Sequence, residues 1–256
     1  MKIFKQKKAE LTTQQIVGLI ILITSFAVIL FFFFRLNLGE ETQKEICHNS
    51  VVLKGKQSTF SEVINEVSLD CRTNYLCISG GGECEGINPT QTIKVNSNDK
   101  EAIMKIIADE MADCWWMFGE GDVNYGDGTS SEVYCTLCSI LKFDNKIQEE
   151  FKEISYTDLH DYLIKLQKSS SQTYLQYLYE VNRIDLLGKS NLFKDEQNIN
   201  INEAKILTNE KYSVITGIDN NLGTDETNKD EILKTYLINS KEISSRTQCD
   251  KFITKA

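Results

Sequence analysis

Proline and histidine are scarce in this 256-residue chain: Pro89 is the only proline, and His48 and His160 are the only histidines. One proline excludes proline-rich linkers and a collagen-like stalk. Two histidines leave little material for a Ser-His-Asp triad, and neither is accompanied by a nucleophile-elbow motif. No N-glycosylation sequon is usable either, because Asn88 is followed by proline.

Phosphate-binding loops and basic surfaces are also missing. Gly80-Gly81-Gly82 matches neither GxGxxG nor a P-loop, since no Gly-Lys-Ser/Thr follows it. The net charge is -9, yet residues 1–35 carry +4, which leaves -13 on the remaining residues. Such an acidic body repels phosphate backbones, so we expect no nucleic-acid partner.

The first feature that is present is a long apolar run, IVGLIILITSFAVILFFFF, which fills residues 16–34 without a charge. As a helix it spans roughly 28 Å, close to the hydrocarbon thickness of a bilayer. A cleaved signal peptide has a shorter apolar region and a small-residue site, whereas this run ends in four phenylalanines and Arg35. The run therefore predicts a single-pass, uncleaved transmembrane anchor with the lipid bilayer as its partner.

Charge on either side of the run predicts orientation. Four lysines precede it, while Arg35 is followed by Glu40 and Glu41. The positive-inside rule then predicts a cytoplasmic basic tail (1–15), the anchor (16–34), a polar stalk (35–46) and an extracytoplasmic domain (47–256) at the cell membrane. A pilin-like N-terminus is the alternative: Ala9-Glu10 precedes the apolar helix, although Gln14 stands where a pilin has glutamate.

Eight cysteines, all beyond the predicted anchor, are the second feature. They are Cys47, Cys71, Cys77, Cys84, Cys114, Cys135, Cys138 and Cys249. An even number confined to one side predicts structural disulfides in an oxidising compartment. Pairing cannot be read from eight positions, but the crowding of three cysteines around the triple glycine favours one local bridge there, and a bridge from Cys249 would fasten the C-terminus.

Cys135 and Cys138 have the CxxC spacing of thiol oxidoreductases and of half a zinc site. Redox chemistry needs the first cysteine at a helix N-terminus, whereas the surrounding EVYCTLCSILKF is typical of a strand. Zinc would need further ligands, for which Cys47-His48 is the available pair. We therefore expect no cofactor and no metal, with disulfides to other partners favoured over a redox pair or a metal site.

The clearest predicted helix covers residues 99–118. Asn98 and Glu101 have capping-box spacing, Cys114 falls on the apolar face, and Gly119 follows as a C-terminal glycine. Trp115, Trp116 and Phe118 cluster at its end. Core packing is the favoured interpretation of these aromatics, and an exposed contact patch for a partner or sugar is the functional alternative.

The apolar spacing predicts helix over residues 145–168, and it predicts the two strands of a hairpin at 211–218 and 232–239. The segment 172–181 fits a helix or a strand equally well. The predicted fold class is α+β, with a disulfide-stabilised mixed helix and sheet domain after the anchor.

Four segments carry a resemblance: KKAELTTQQIVGLIILI, EICHNSVVLKG, ADEMADCWWMFGEG and YCTLCSILKFD. Together they resemble single-pass, cysteine-containing membrane proteins of small-genome archaea, a family whose function is uncharacterised. The resemblance covers roughly residues 8–145. It implies the topology given above and an archaeal cell-surface setting, and it implies no activity.

Three functions follow in order of preference. The first is a non-enzymatic, membrane-anchored surface or envelope protein that binds a partner or assembles. The second is a membrane-tethered thiol-disulfide oxidoreductase that uses Cys135 and Cys138. The third is a pilin-like filament subunit.

Overall fold

The computed structural model describes residues 13–35, 38–57, 68–126, 132–181, 204–219 and 231–254. The helices are α1 (Thr13–Arg35), α2 (Leu38–Gln57), α3 (Lys100–Met117), α4 (Asn145–Glu150), α5 (Tyr156–Lys165), α6 (Tyr174–Tyr179) and α7 (Ile243–Arg246). The strands are β1 (Asn74–Ser79), β2 (Gln91–Lys94), β3 (Val133–Phe143), β4 (Glu153–Ser155), β5 (Lys205–Leu207), β6 (Lys211–Asp219), β7 (Glu231–Asn239) and β8 (Lys251–Phe252). The predicted α+β class is confirmed.

The chain divides into two compact units, residues 1–42 and residues 43–256. In the first unit, α1 contains the apolar run, and every side chain described in it, from 16 to 31, is exposed. Within the described residues, no helix is both long enough and apolar enough to cross a membrane. The anchor at 16–34 stays a prediction, and residues 1–12 of the predicted tail, which include Ala9-Glu10, lie outside the described residues.

The stalk at 35–46 stays a prediction, and α2 is continuous from Leu38 to Gln57 across the predicted start of the domain at Cys47. Cys47 and Val51, four residues apart on one face of α2, are 2% and 0% exposed. A helix with one buried face packs as part of a domain, so the second unit includes the C-terminal part of α2.

A mixed sheet forms the centre of the second unit, with strand order β2-β1-β3-β6-β7. β1 runs parallel to β2 and β3, whereas β6 is antiparallel to both β3 and β7. The predicted hairpin at 211–218 and 232–239 is confirmed as β6 and β7. One edge of β3 is shared: β1 pairs with its C-terminal half and β8 with Tyr134 and Cys135.

Helix α3 lies on one face of this sheet and contacts β3, β6 and β7, with α5 and α6 beside it. The N-cap is Asp99, one residue after the predicted Asn98, and its side chain accepts a hydrogen bond from the Ala102 N–H. Gly119 follows with φ +80°, as a C-terminal glycine does. Because sheet and helices surround α3, it is buried on more than one face.

The outer edge of β7 is covered by tyrosine hydroxyls from the helical layer. The Tyr156 hydroxyl donates to the Leu237 carbonyl (3.0 Å), and the Tyr179 hydroxyl donates to the Thr235 carbonyl (2.8 Å). Tyr179 lies on α6, so the ambiguous segment 172–181 is helical at its centre. Because these carbonyls of the edge strand are already hydrogen-bonded, β7 is protected from pairing with a strand of another chain.

Candidate functional site

The predicted disulfides are confirmed, and all eight cysteines are paired. The pairs are Cys47–Cys71, Cys77–Cys84, Cys114–Cys138 and Cys135–Cys249, with Cα–Cα separations of 4.5, 5.8, 5.6 and 5.5 Å. The local bridge beside the triple glycine and the bridge at the C-terminus are both present. Each separation is ordinary for a disulfide.

The CxxC cysteines bond to different partners because they lie on opposite faces of β3. Cys138 packs in the main core under α3, whereas Cys135 packs in a second cluster with Val133, Ile215 and Ile238. An irregularity in the pairing between Leu137 and Ser139 then returns Leu141 and Phe143 to the main core. A CxxC redox pair cycles through a disulfide between its own two cysteines, which this placement prevents.

The zinc alternative requires the same sulfurs as thiolates. Cys47, Cys135 and Cys138 are all held in disulfides, so the ligand set considered in the sequence is consumed. Among the residues that the structure describes, no group of three His, Cys, Asp or Glu side chains has metal-site geometry.

The aromatic contact patch is corrected. Trp115 and Phe118 are 2% and 1% exposed and belong to the main core, where Phe118 contacts Tyr125. Trp116 is half-buried and stacks on His48 of α2, with ring centroids 4.2 Å apart. Burial of two of the three side chains leaves no continuous aromatic surface, which agrees with the core-packing interpretation.

His48 also fixes its own ring, because its Nδ1 lies 2.8 Å from the Trp116 carbonyl oxygen. A carbonyl oxygen only accepts, so Nδ1 carries the proton in this contact. The stack and the hydrogen bond together attach α2 to the end of α3.

A polar cluster that sequence reasoning missed lies between α2, α3 and the segment before α6. We define the Asp113 cluster as Lys44, Glu110, Asp113 and Lys168. The Lys44 ammonium binds the Asp113 carboxylate at 2.6 Å and the Glu110 carboxylate at 3.3 Å, and Lys168 approaches Asp113 at 4.0 Å. The paired residues lie more than fifty positions apart in the chain, so no local pattern reveals them.

Electrostatics within the Asp113 cluster favour pairing. Burial acts to lower the pKa of Lys44, but Glu110 and Asp113 outweigh it and hold that pKa above its usual value. Burial raises the pKa of Glu110, although Lys44 opposes the shift. The two ammonium groups therefore lie beside the two carboxyl groups that they can neutralise, which is the arrangement expected of buried or half-buried charges.

Two tyrosines extend the polar contacts along α3. The Tyr174 hydroxyl donates to Asp109, and the Tyr177 hydroxyl donates to Glu120. Burial and the neighbouring carboxylates raise the pKa of both phenols. These tyrosines stay protonated as hydrogen-bond donors at neutral pH, so Tyr174 connects α6 to α3 and Tyr177 connects α6 to the turn that follows α3.

The loop that contains Gly80, Gly81 and Gly82 surrounds the buried carboxylate of Asp144. Asp144 is 0% exposed and accepts hydrogen bonds from the Gly82 N–H (2.6 Å), the Ser79 hydroxyl (2.9 Å) and the Ile147 N–H (2.9 Å). Burial acts to raise the pKa of Asp144, but these donors together with Gly80 hold it below its usual value. A Cβ on Gly80 would lie 2.7 Å from the Ser97 Cβ, so close approach explains a glycine there.

His160 lies on α5 and is unsuited to base catalysis. Burial lowers its pKa to about 4, although Asp161 acts in the opposite direction. Within the described part of the chain, its Nδ1 has no hydrogen-bond partner. A triad histidine needs a carboxylate on that atom, so the described surroundings of His160 give no support to triad chemistry.

Comparisons with protein families, with curated proteins and with solved structures find no match to this chain.

Proposed function

We propose that this chain is a membrane-anchored surface or envelope protein whose disulfide-bonded α+β body binds a partner or assembles outside the cytoplasm, without catalysis. The observation that carries the proposal is the complete pairing of the eight cysteines. Disulfides persist in oxidising compartments and are rare in a reducing cytoplasm, so four of them favour an extracytoplasmic body.

Attachment to a bilayer is supported by the uncharged run at 16–34 and by its surroundings. The run is helical within α1, and its described side chains are exposed apolar groups. Lipid can surround such a helix without leaving backbone N–H and C=O groups unpaired, because the helix forms its own backbone hydrogen bonds. The basic residues before the run favour a cytoplasmic N-terminus.

A binding or assembly role is supported by how the conspicuous polar residues are used. The Asp113 cluster and Asp144 are engaged within the body, and the CxxC thiols are bonded to separate partners. These contacts favour a binding or assembly body over an oxidoreductase that cycles a disulfide between Cys135 and Cys138.

The test uses the full chain expressed in a host with an oxidising exterior. We expect alkaline carbonate to leave it in the membrane fraction, external protease to digest the body, and maleimide to label it only after reduction. Recovery as a freely soluble protein with reduced thiols would overturn the proposal. Pelleting as filaments without lipid, with a mature N-terminus at Glu10, would instead favour the pilin-like alternative.

A matched pair of variants isolates the anchor. Leu22→Arg with Val28→Arg places two charges at the centre of the run, each costing roughly 3 kcal/mol in a bilayer. We expect this variant to leave the membrane fraction and Leu22→Ala with Val28→Ala to remain there. Equal retention of both variants would contradict anchoring through this run.

A further inference from the structure

The C-terminal strap, defined as residues 250–254, lies along the N-terminal half of one edge of β3, and β1 covers the same edge from Ser139 onward. The Asp250 N–H donates to the Val133 carbonyl (2.9 Å) and the Ile253 N–H to the Cys135 carbonyl (3.1 Å). In return, the Val133 N–H donates to the Asp250 carboxylate (2.8 Å). The strap therefore supplies partners for the Val133 and Cys135 positions of this edge, while the Leu137 carbonyl accepts a hydrogen bond from the Thr73 hydroxyl (3.0 Å).

The strap makes a few further contacts, among them the Lys251 ammonium 5.6 Å from the centre of the Tyr134 ring. The Leu137 N–H donates to the Thr254 hydroxyl (3.0 Å), and Lys251 pairs with Glu132 at 2.5 Å. Phe252 is 47% exposed, and Ile253 packs partly against the core. A few solvent-accessible hydrogen bonds scarcely offset the entropy lost on ordering five residues.

The covalent restraint next to the strap is the Cys135–Cys249 disulfide. It differs from the other three disulfides because one of its two cysteines is more accessible to solvent. Cys249 is half-buried, whereas the other seven cysteines are at most 8% exposed. A thiolate must reach a sulfur to attack it, so exchange rates follow access. Cys249 is thus the first sulfur that an external thiol would reach.

We propose that the Cys135–Cys249 disulfide is a thiol-sensitive latch whose opening frees the C-terminal strap and uncovers the β3 edge from Val133 to Leu137. An external thiolate attacks the Cys249 sulfur, forms a mixed disulfide with it and releases Cys135, which takes up a proton. A second thiol resolves the mixed disulfide. Two external thiols are oxidised to one disulfide, and both cysteines are reduced.

The uncovered edge has a defined chemistry. It presents the Val133 and Leu137 N–H groups and the Val133 and Cys135 carbonyls, all previously paired with the strap. Unpaired groups in this arrangement accept an added β-strand. The latch therefore controls whether this edge is available.

The test treats the full chain in detergent with increasing reduced glutathione, followed by N-ethylmaleimide and peptide mapping. We expect Cys135 and Cys249 to be labelled at least about tenfold faster than the other six cysteines. Hydrogen exchange at 250–254 and 133–137 should rise with that labelling, while the near-ultraviolet circular dichroism of the core persists. Earlier or equal labelling of another pair, continued protection of the strap, or collapse of the near-ultraviolet signal would each overturn the latch.

A variant comparison tests the same point without reductant. Cys249→Ser should show the fast strap exchange of the reduced protein, whereas Cys84→Ser, which removes a different disulfide, should keep the strap protected. If Cys249→Ser fails to fold, the selective reduction of the unmodified chain still decides, because it starts from folded protein.

Discussion

Cys135 and Cys138 lie three residues apart on β3 but on opposite faces of the central sheet, so one bonds Cys249 and the other bonds Cys114. An odd spacing on a strand places side chains on opposite faces. The CxxC motif here is therefore two independent structural positions.

The first prediction tests that independence. In Cys138→Ala, we expect the Cys135–Cys249 bond to remain and the Cys114 thiol to stay free, because Cys135 points away from α3. Loss of a 24-residue cross-link should lower the free energy of unfolding by about 3 kcal/mol. Disulfide mapping and urea unfolding measure the two effects, and a Cys114–Cys135 bond in this variant would contradict the assigned faces.

The sequence predicts those parts of this arrangement that depend on residues close together in the chain. The apolar run of β-branched and aromatic residues around Cys135 predicts β3, and helical periodicity places Cys114 toward the core. Both are confirmed. Trp115 follows Cys114 directly and falls off that face, yet it is buried because α3 is covered on several sides.

Long-range contacts explain what the sequence does not predict. The sequence does not reveal the partners of Lys44, because Glu110 and Asp113 lie far along the chain. The helical period of Cys47 and Val51 is a usable signal for α2, but two apolar positions are too few to define a buried face. The Gly80–Asp144 relationship likewise joins two distant loops.

The second prediction concerns the Lys44–Glu110 pair. Lys44→Met leaves Glu110, 6% exposed, without its cation. We expect a loss of about 3 kcal/mol near neutral pH. Chemical unfolding of the variant measures it, and Lys105→Met, which removes an exposed ion pair with Asp109, should cost less than about 0.5 kcal/mol.

The pH dependence of that loss follows from the raised pKa of Glu110, which burial causes and Lys44 opposes. A carboxyl with a raised folded pKa loses stability as pH rises from its unfolded pKa through its folded pKa. Without Lys44, ionised Glu110 destabilises the folded state more. The stability difference between the unmodified chain and Lys44→Met should therefore be larger at pH 8 than at pH 4. Lys44→Met with Glu110→Gln should remove most of the pH dependence, and an unchanged deficit at both pH values would contradict the pairing.

The third prediction concerns the buried carboxylate of Asp144. Asp144→Asn replaces one acceptor oxygen with an amide facing N–H and O–H donors, and we expect a loss of about 2–4 kcal/mol at neutral pH. Urea unfolding measures the change. Asp158→Asn is the control, because Asp158 makes an exposed ion pair with Lys100 at 3.0 Å.

At acid pH, the free energies of unfolding of the unmodified chain and of Asp144→Asn should become more similar. The pKa of Asp144 lies below its usual value, since hydrogen bonds outweigh the effect of burial. Its stabilisation is complete above the unfolded pKa of about 4 and is lost as pH falls through the folded pKa. A difference that stays constant down to the acid transition would contradict this role.

The last prediction tests why a glycine stands at position 80. An added Cβ would meet the Ser97 Cβ at 2.7 Å, the Ser97 Cα at 3.1 Å and the Ile147 Cγ1 at 3.3 Å. Because one of these atoms is backbone, Gly80→Ala cannot be relieved by a simple rotamer change, and we expect a loss of about 1–3 kcal/mol. Ser97→Gly removes the nearest atom, so the double variant should be more stable than the sum of the two single changes predicts. Thermal or urea unfolding of all four proteins gives the coupling. Strict additivity would mean that the glycine serves something other than close approach of the two loops.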